Sequence, residues 1–242
     1  MILLSLLRSL IGLPIFTAYT MIWSALAVLE VIFLGNRRVE SWFISTWGKI
    51  GLWMFGVRLE VQGMENVPSG SGLFLFNHTS FFDIFAMVAA YPELRFGAKI
   101  ELFHIPVFGS AMRRMGILPI TRGNREEVFR VYKEAGERAK RGEKFALAPE
   151  GKRNHEETLL PFKSGPFIFA INSGMPLIPV VIQGAHPILK KNQILPNWDR
   201  WSRTLKLRYL PVIQTEGYSV DRRAELQEMA YREMQGALGA TW

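Results

Sequence analysis

The apolar positions of this chain fall into two regimes, one long and unbroken, the other short and punctuated. Residues 9–29 (SLIGLPIFTAYTMIWSALAVL) carry no charge, and beyond Glu30 the apolar run resumes to Leu34 before Gly35 and the pair Arg37-Arg38. That length suffices to cross a hydrocarbon core. Residues 41–56 (SWFISTWGKIGLWMFG) then mix Trp42, Trp47 and Trp53 with few charges, the pattern of a segment lying at the headgroup boundary. Two membrane arrangements are open: one crossing helix followed by an interfacial one, or a helical hairpin dipping into a single leaflet. Pro14 and Glu30 favour the less regular form. If the first helix crosses, Arg37, Arg38 and Lys49 outnumber Arg8 and place the remainder in the cytoplasm. The rivals are a buried pair of core helices and a cleaved signal peptide. Against cleavage at Ala25-Leu26-Ala27, the apolar run continues past it and Arg8 alone supplies the basic flank.

After Arg58 the period shortens. Residues 58–61 alternate, residues 63–71 are turn-rich, and residues 72–76 (GLFLF) form the continuous apolar run of a buried strand. Similar runs at 94–98, 116–120, 145–148 and 177–182 alternate with helical periodicity at 84–90, 126–140 and 165–172, the last capped by Gly174. Residues 205–209 alternate and suit an edge strand, and residues 221–238 read as a closing amphipathic helix. The expected fold is α/β, a mostly parallel central sheet flanked by helices and preceded by an N-terminal membrane-associated two-helix segment. The division follows: residues 1–57 anchor, residues 58–242 form the α/β domain.

Composition narrows the partner. The 242 residues are 49% hydrophobic and carry a formal net charge of +8, which suits a nucleic acid, a phosphorylated small molecule or an anionic membrane. The absence of cysteine excludes disulfides, thiolate metal sites and a Cys nucleophile. His104, His155 and His186 match no metal-ligand spacing, and no HExxH, GxGxxG or P-loop is present, so neither metal nor cofactor is expected. Arg113-Arg114 and Arg222-Arg223 lack any nucleic-acid fold signature, and no nucleic acid is expected as a partner.

The stretch NHTSFFD, residues 77–83, carries the candidate chemistry. Residues five apart on one helix lie about 140° round from each other, so His78 and Asp83 meet only across a strand-to-helix turn. A carboxylate-held His is the usual general base, its tautomer fixed and its imidazolium stabilised. Ser80-x-x-Asp83 equally resembles an acidic capping box, which leaves His78 a bystander. Without a GxSxG elbow or a cysteine, no protein nucleophile is announced, and a base here takes its proton from substrate.

NHTSFFD resembles the HxxxxD motif of the glycerolipid acyltransferases, the family that includes 1-acylglycerol-3-phosphate acyltransferase. Three further blocks stand in that family's order: GILPITR (residues 116–122), APEGKRN (148–154) and MPLIPVVI (175–182). The similarity spans residues 58–185. It implies transfer of an acyl chain from acyl-CoA or an acyl carrier protein thioester to lysophosphatidic acid, giving phosphatidic acid at a cell inner membrane or other cytoplasm-facing membrane, with membrane lipids as further partners. His78 would be the base and Asp83 its orienting carboxylate. Arg122, Glu150, Gly151 and Arg153 would serve the acceptor phosphate, Glu150 by bonding the glycerol or organising the arginines. Asn77, Lys99, Lys152 and Lys163 are possible additional contacts, Asn77 alternatively holding the turn. Lys152 stands where the family usually has Thr, which opens the alternative of another lysophospholipid or a lyso-aminolipid as acceptor. A non-catalytic lipid-binding protein is the alternative from a different class.

Overall fold

The computed structural model describes residues 1–240. Their seven strands form one sheet, in the order β1-β7-β6-β2-β5-β3-β4. These are β1 (Val57–Gln62), β2 (Gly72–Phe76), β3 (Leu94–Lys99), β4 (Leu118–Ile120), β5 (Lys144–Leu147), β6 (Leu177–Gln183) and β7 (Arg203–Tyr209). Strands β2 to β6 run parallel, and β7 pairs antiparallel with β6. All five residues of β2 are buried, as are the four of β5, which is why both read as unbroken apolar runs. Strand β7 lies inside the sheet with β1 as the edge beyond it, contrary to the edge position expected for residues 205–209. Its alternation reports one buried and one open face, a property independent of whether a further strand pairs alongside.

Helices cover both faces. On one lie α1 (Ile2–Phe33), α2 (Arg37–Met54) and α3 (Phe82–Ala90); on the other α5 (Arg125–Ala139), α6 (Gly165–Ser173) and α7 (Arg223–Gly239). The pleat sorts the strands between these layers: Phe74 and Phe76 face the first core, Leu73 and Leu75 the second. A short helix α4 (Phe108–Arg114), absent from the sequence reading, follows β3. Strand β4 begins at Leu118 rather than residue 116, because Gly116 adopts φ 76° in the preceding turn.

Helices α1 and α2 form a hairpin that shares the first core with the sheet: Phe16, Leu52 and Phe55 pack in one cluster with Phe82 and Phe85. Close approach of α2 to α3 depends on Gly48, where an added Cβ would stand 2.5 Å from Val88 Cγ2 and 2.8 Å from the Phe85 carbonyl. The amphipathicity of α1 is inverted. Its buried positions include Ser5, Ser9, Gly12, Ser24, Ala27 and Glu30, whereas Leu4, Leu7, Ile11, Ile15, Ile22, Leu26, Leu29 and Phe33 are exposed. It is one helix long and apolar enough to cross a membrane.

Candidate active site

Strands β2 and β5 pair with Leu75 opposite Leu147, so His78 and Glu150, each three residues further on, emerge side by side. The helix after β2 returns on one face and the helix after β5 on the other, which opens a crevice at the strand ends between them. In that crevice His78 Nδ1 lies 2.9 Å from Asp83 Oδ2. The same oxygen accepts the backbone N–H groups of Thr79 (2.8 Å) and Ser80 (2.9 Å). The carboxylate that organises the two N–H groups ahead of α3 therefore also holds the imidazole.

Because a carboxylate only accepts, Nδ1 carries the hydrogen and the neutral ring presents its lone pair at Nε2. Asp83 is fully buried, while the His78 side chain keeps 15% of its surface open. The Phe76 ring stands edge-on to the imidazole with centroids 5.7 Å apart. This is the arrangement of a general base with one nitrogen held and the other offered to a ligand.

Glu150 sits beside the dyad, only 1% exposed. One oxygen accepts from the His78 backbone N–H at 3.0 Å and the other from that of Leu160 at 3.1 Å. Burial raises its carboxyl above the ordinary range, and the two N–H groups pull it part of the way back. Opposite it, the Asn154 N–H donates to the His78 carbonyl at 2.7 Å. Both backbone polar groups of His78 are thus taken up by the loop that follows β5.

The acyltransferase family model matches residues 58–183, 126 of the 242. The chain belongs to the acyltransferase family. It is similar to a chloroplastic 1-acyl-sn-glycerol-3-phosphate acyltransferase of Brassica napus, 32% identical over 64% of this chain. It covers 45% of that relative's length and 44% of a second chloroplastic relative from Arabidopsis thaliana. A 1-acyl-sn-glycerol-3-phosphate acyltransferase of Pseudomonas aeruginosa is 25% identical over 93% of this chain and 87% of its own. The crystal structure of the 1-acyl-sn-glycerophosphate acyltransferase PlsC from Thermotoga maritima superposes with a TM-score of 0.79 at 25% identity, covering 98% of this chain and 97% of that one.

The remaining expected residues divide by burial. Asn77 is 1% exposed, and its amide bonds both the N–H (2.7 Å) and the carbonyl (2.8 Å) of Ile182. It thereby ties β2 to β6. Glu150 places one oxygen on each of two backbone N–H groups, those of His78 and Leu160. Gly151 takes φ 72° in the turn closed by its N–H to the Ala148 carbonyl, a conformation that strains any side chain. Arg122, Lys152 and Lys163 are exposed and Arg153 is half-buried, all on loops beyond strand ends. Lys99 pairs with Glu101 at 3.0 Å, and Glu101 is held low first by its own backbone hydrogen bond and by Lys99, with Arg122 adding to the pull. Asn154 and Leu160 went unassigned in the sequence reading. Asn154 lies within the APEGKRN block, whereas Leu160 contributes only a backbone N–H, which no side-chain pattern announces.

Proposed function

We propose that this acyltransferase moves an acyl chain from a thioester donor, acyl-CoA or acyl carrier protein, to the free hydroxyl of lysophosphatidic acid. The observation that carries the reading is the His78–Asp83 pair with Nε2 open in the crevice. Nε2 takes the hydroxyl proton as the oxygen attacks the thioester carbonyl carbon. Collapse of the tetrahedral adduct breaks the C–S bond, and the departing sulfur receives the proton from the imidazolium. The products are phosphatidic acid and the free thiol. Asp83 stabilises the transient imidazolium. Arg153, with Arg122, Lys152 and Lys163, offers cationic donors to the acceptor phosphate. The PlsC likeness across nearly the whole chain and the activity for which the Pseudomonas aeruginosa relative is named support lysophosphatidic acid as acceptor.

The same reading assigns residues 1–57 to membrane anchoring. Helix α1 touches the α/β body near both ends: Arg8 bonds the carbonyls of Asn197 and Arg200, and just past its far end Arg37 pairs with Glu143 at 2.9 Å. A helix crossing a core about 30 Å thick would carry one end away from the body. Helix α1 therefore lies along one leaflet, its exposed leucines and isoleucines in the acyl region. The basic chain suits the anionic cytoplasmic surface.

The test is product formation by the purified chain in detergent, with a thioester donor and a panel of lysophospholipids. Arg153→Ala should raise KM for lysophosphatidic acid with the fold intact. Preferential acylation of a different lysolipid would move the acceptor assignment to the one that Lys152 suggests. Thioester cleavage without transfer would make the protein a hydrolase.

A further inference from the structure

Between β6 and β7 the chain makes a long excursion, residues 184–202, that leaves large apolar side chains in the open. Ile194 is 76% exposed, Trp201 50% and Trp198 40%. The excursion is firmly held. Arg8 of α1 donates to the carbonyls of Asn197 and Arg200, each at 3.1 Å, and to that of Trp201, whose ring lies 4.8 Å from its guanidinium carbon. Ser9 donates to the Pro196 carbonyl, and buried Asn197 donates to the Phe55 carbonyl at 2.8 Å. Exposed Leu4 and Leu7 of α1 adjoin Arg8, so both sets of apolar side chains share one rim of the molecule.

Within the excursion lies a cavity of about 480 Å³, lined in part by Trp198, Lys190, Asn192, Asp199 and Arg203. Arg203 and Asp199 bond each other at 2.9 and 2.6 Å, which cancels their charges and leaves the Lys190 ammonium as the net charge of that lining. Lys191 and Arg200 add positive charge to the same segment.

We propose that the excursion is a second bilayer contact, with Ile194, Trp198 and Trp201 seated in the headgroup layer beside α1 and the cavity holding the phosphate headgroup of an anionic bilayer phospholipid. The proposal rests on the reading of α1 as a leaflet-bound helix. Three features select this occupant. Tryptophan rings favour the water–hydrocarbon boundary. The cavity and its surroundings are cationic, complementary to an anionic leaflet. The excursion is fixed to α1 through Arg8, one turn from exposed Leu4 and next to exposed Leu7. The consequence reaches the dyad, because Ser80, whose N–H holds Asp83, also donates its hydroxyl to the Leu189 carbonyl at 3.0 Å. The excursion thereby sets the height of His78 above the leaflet.

The chain has no cysteine, so single thiols can be placed at will. The full chain carrying Ile194→Cys is labelled with an environment-sensitive fluorophore and bound to phosphatidylcholine vesicles containing phosphatidylglycerol, with and without a headgroup-level spin-labelled lipid. Ile15→Cys on α1 and Phe129→Cys on the opposite face serve as references; all three positions are exposed, and the changes spare the core. The expected result is quenching at 194 several-fold greater than at 129, and vesicle binding weakened about 5-fold for each of Lys190→Gln and Lys191→Gln. Quenching at 15 without quenching at 194 overturns the excursion's contact and leaves α1 in place. Quenching at neither site overturns the leaflet reading and this proposal together. Binding indifferent to phosphatidylglycerol and to both lysine changes overturns the anionic headgroup, and an equal fluorescence response to inorganic phosphate without vesicles reassigns the cavity to free phosphate.

Discussion

Replacing Glu150 by Gln separates a role in positioning His78 from a role in gripping the acceptor. The two carboxylate oxygens each accept one backbone N–H, from His78 and from Leu160, in a site that is 1% exposed. Glutamine offers one oxygen and one NH2, so in either orientation one of those N–H groups faces a donor. An orphaned buried donor costs about 1–3 kcal/mol. Relief of the carboxylate's burial penalty offsets part of this, and the net loss is about 1–2 kcal/mol. For a chain of this size that lowers Tm by roughly 2–8 °C. Where the His78 N–H is the one orphaned, the imidazole shifts, and a displacement of about 1 Å costs on the order of 100-fold in rate. Thermal unfolding by circular dichroism, run beside acyl-transfer kinetics at saturating substrate, reads both. A pH series adds a sign. Burial raises the native carboxyl above its ordinary 4.5, so the folded state binds the proton more tightly than the unfolded one. The stability advantage of the natural protein over the Gln variant should therefore be fullest below 4.5 and decline as pH rises through the native value. An unchanged Tm with a raised KM for the acceptor would refute this reasoning and return Glu150 to the substrate.

Three further outcomes are expected. His78→Ala should remove general-base catalysis, about 10²–10⁴-fold in kcat with vesicle binding unchanged, and full activity would sink the base assignment. Asn77→Ala leaves the Ile182 N–H and carbonyl unpaired in a buried site, a loss of about 2–4 kcal/mol that a shifted denaturant midpoint would register; an unshifted midpoint would mean that β2 and β6 do not need the clamp. Gly48→Ala drives a methyl into Val88 and the Phe85 carbonyl, at a cost of about 1–3 kcal/mol, so hydrogen exchange in α2 should quicken; unaltered protection would show that the hairpin accommodates the methyl.

Much of the fold was legible because its signals are local. Strands β2, β5 and β6 are buried on both faces, and each reads as a short apolar run closed by turn residues. Gly174 ends α6 at φ 65°, as its position after the last periodic residue implies. The seven residues of α4 were too few to establish a period, and the alternation in β7 could not reveal that β1 pairs outside it. Helix α1 was legible in length and in apolarity, but which face it turns inward was hidden: Ser5, Ser9 and Gly12 look unremarkable until the body they pack against is in place.

The candidate site divides the same way. Sequence alone determined most of the elements, the short turn between His78 and Asp83, and, through four ordered blocks, the resemblance that singled the pair out. These depend on neighbours within a turn or two, where spacing dictates geometry. Tertiary structure decided that one Asp83 oxygen gathers the His78 ring and the two N–H groups ahead of α3, that Glu150 reaches the His78 backbone across 72 positions, and that Asn77 clamps Ile182 across 105. It also decided that Arg8 meets a loop nearly two hundred residues away. Contacts of that kind follow from strand order. Strand β5 inserts beside β2 and brings its loop against the His78–Asp83 turn, because crossovers on opposite faces leave a crevice there, and no periodicity along the chain encodes which strands become neighbours.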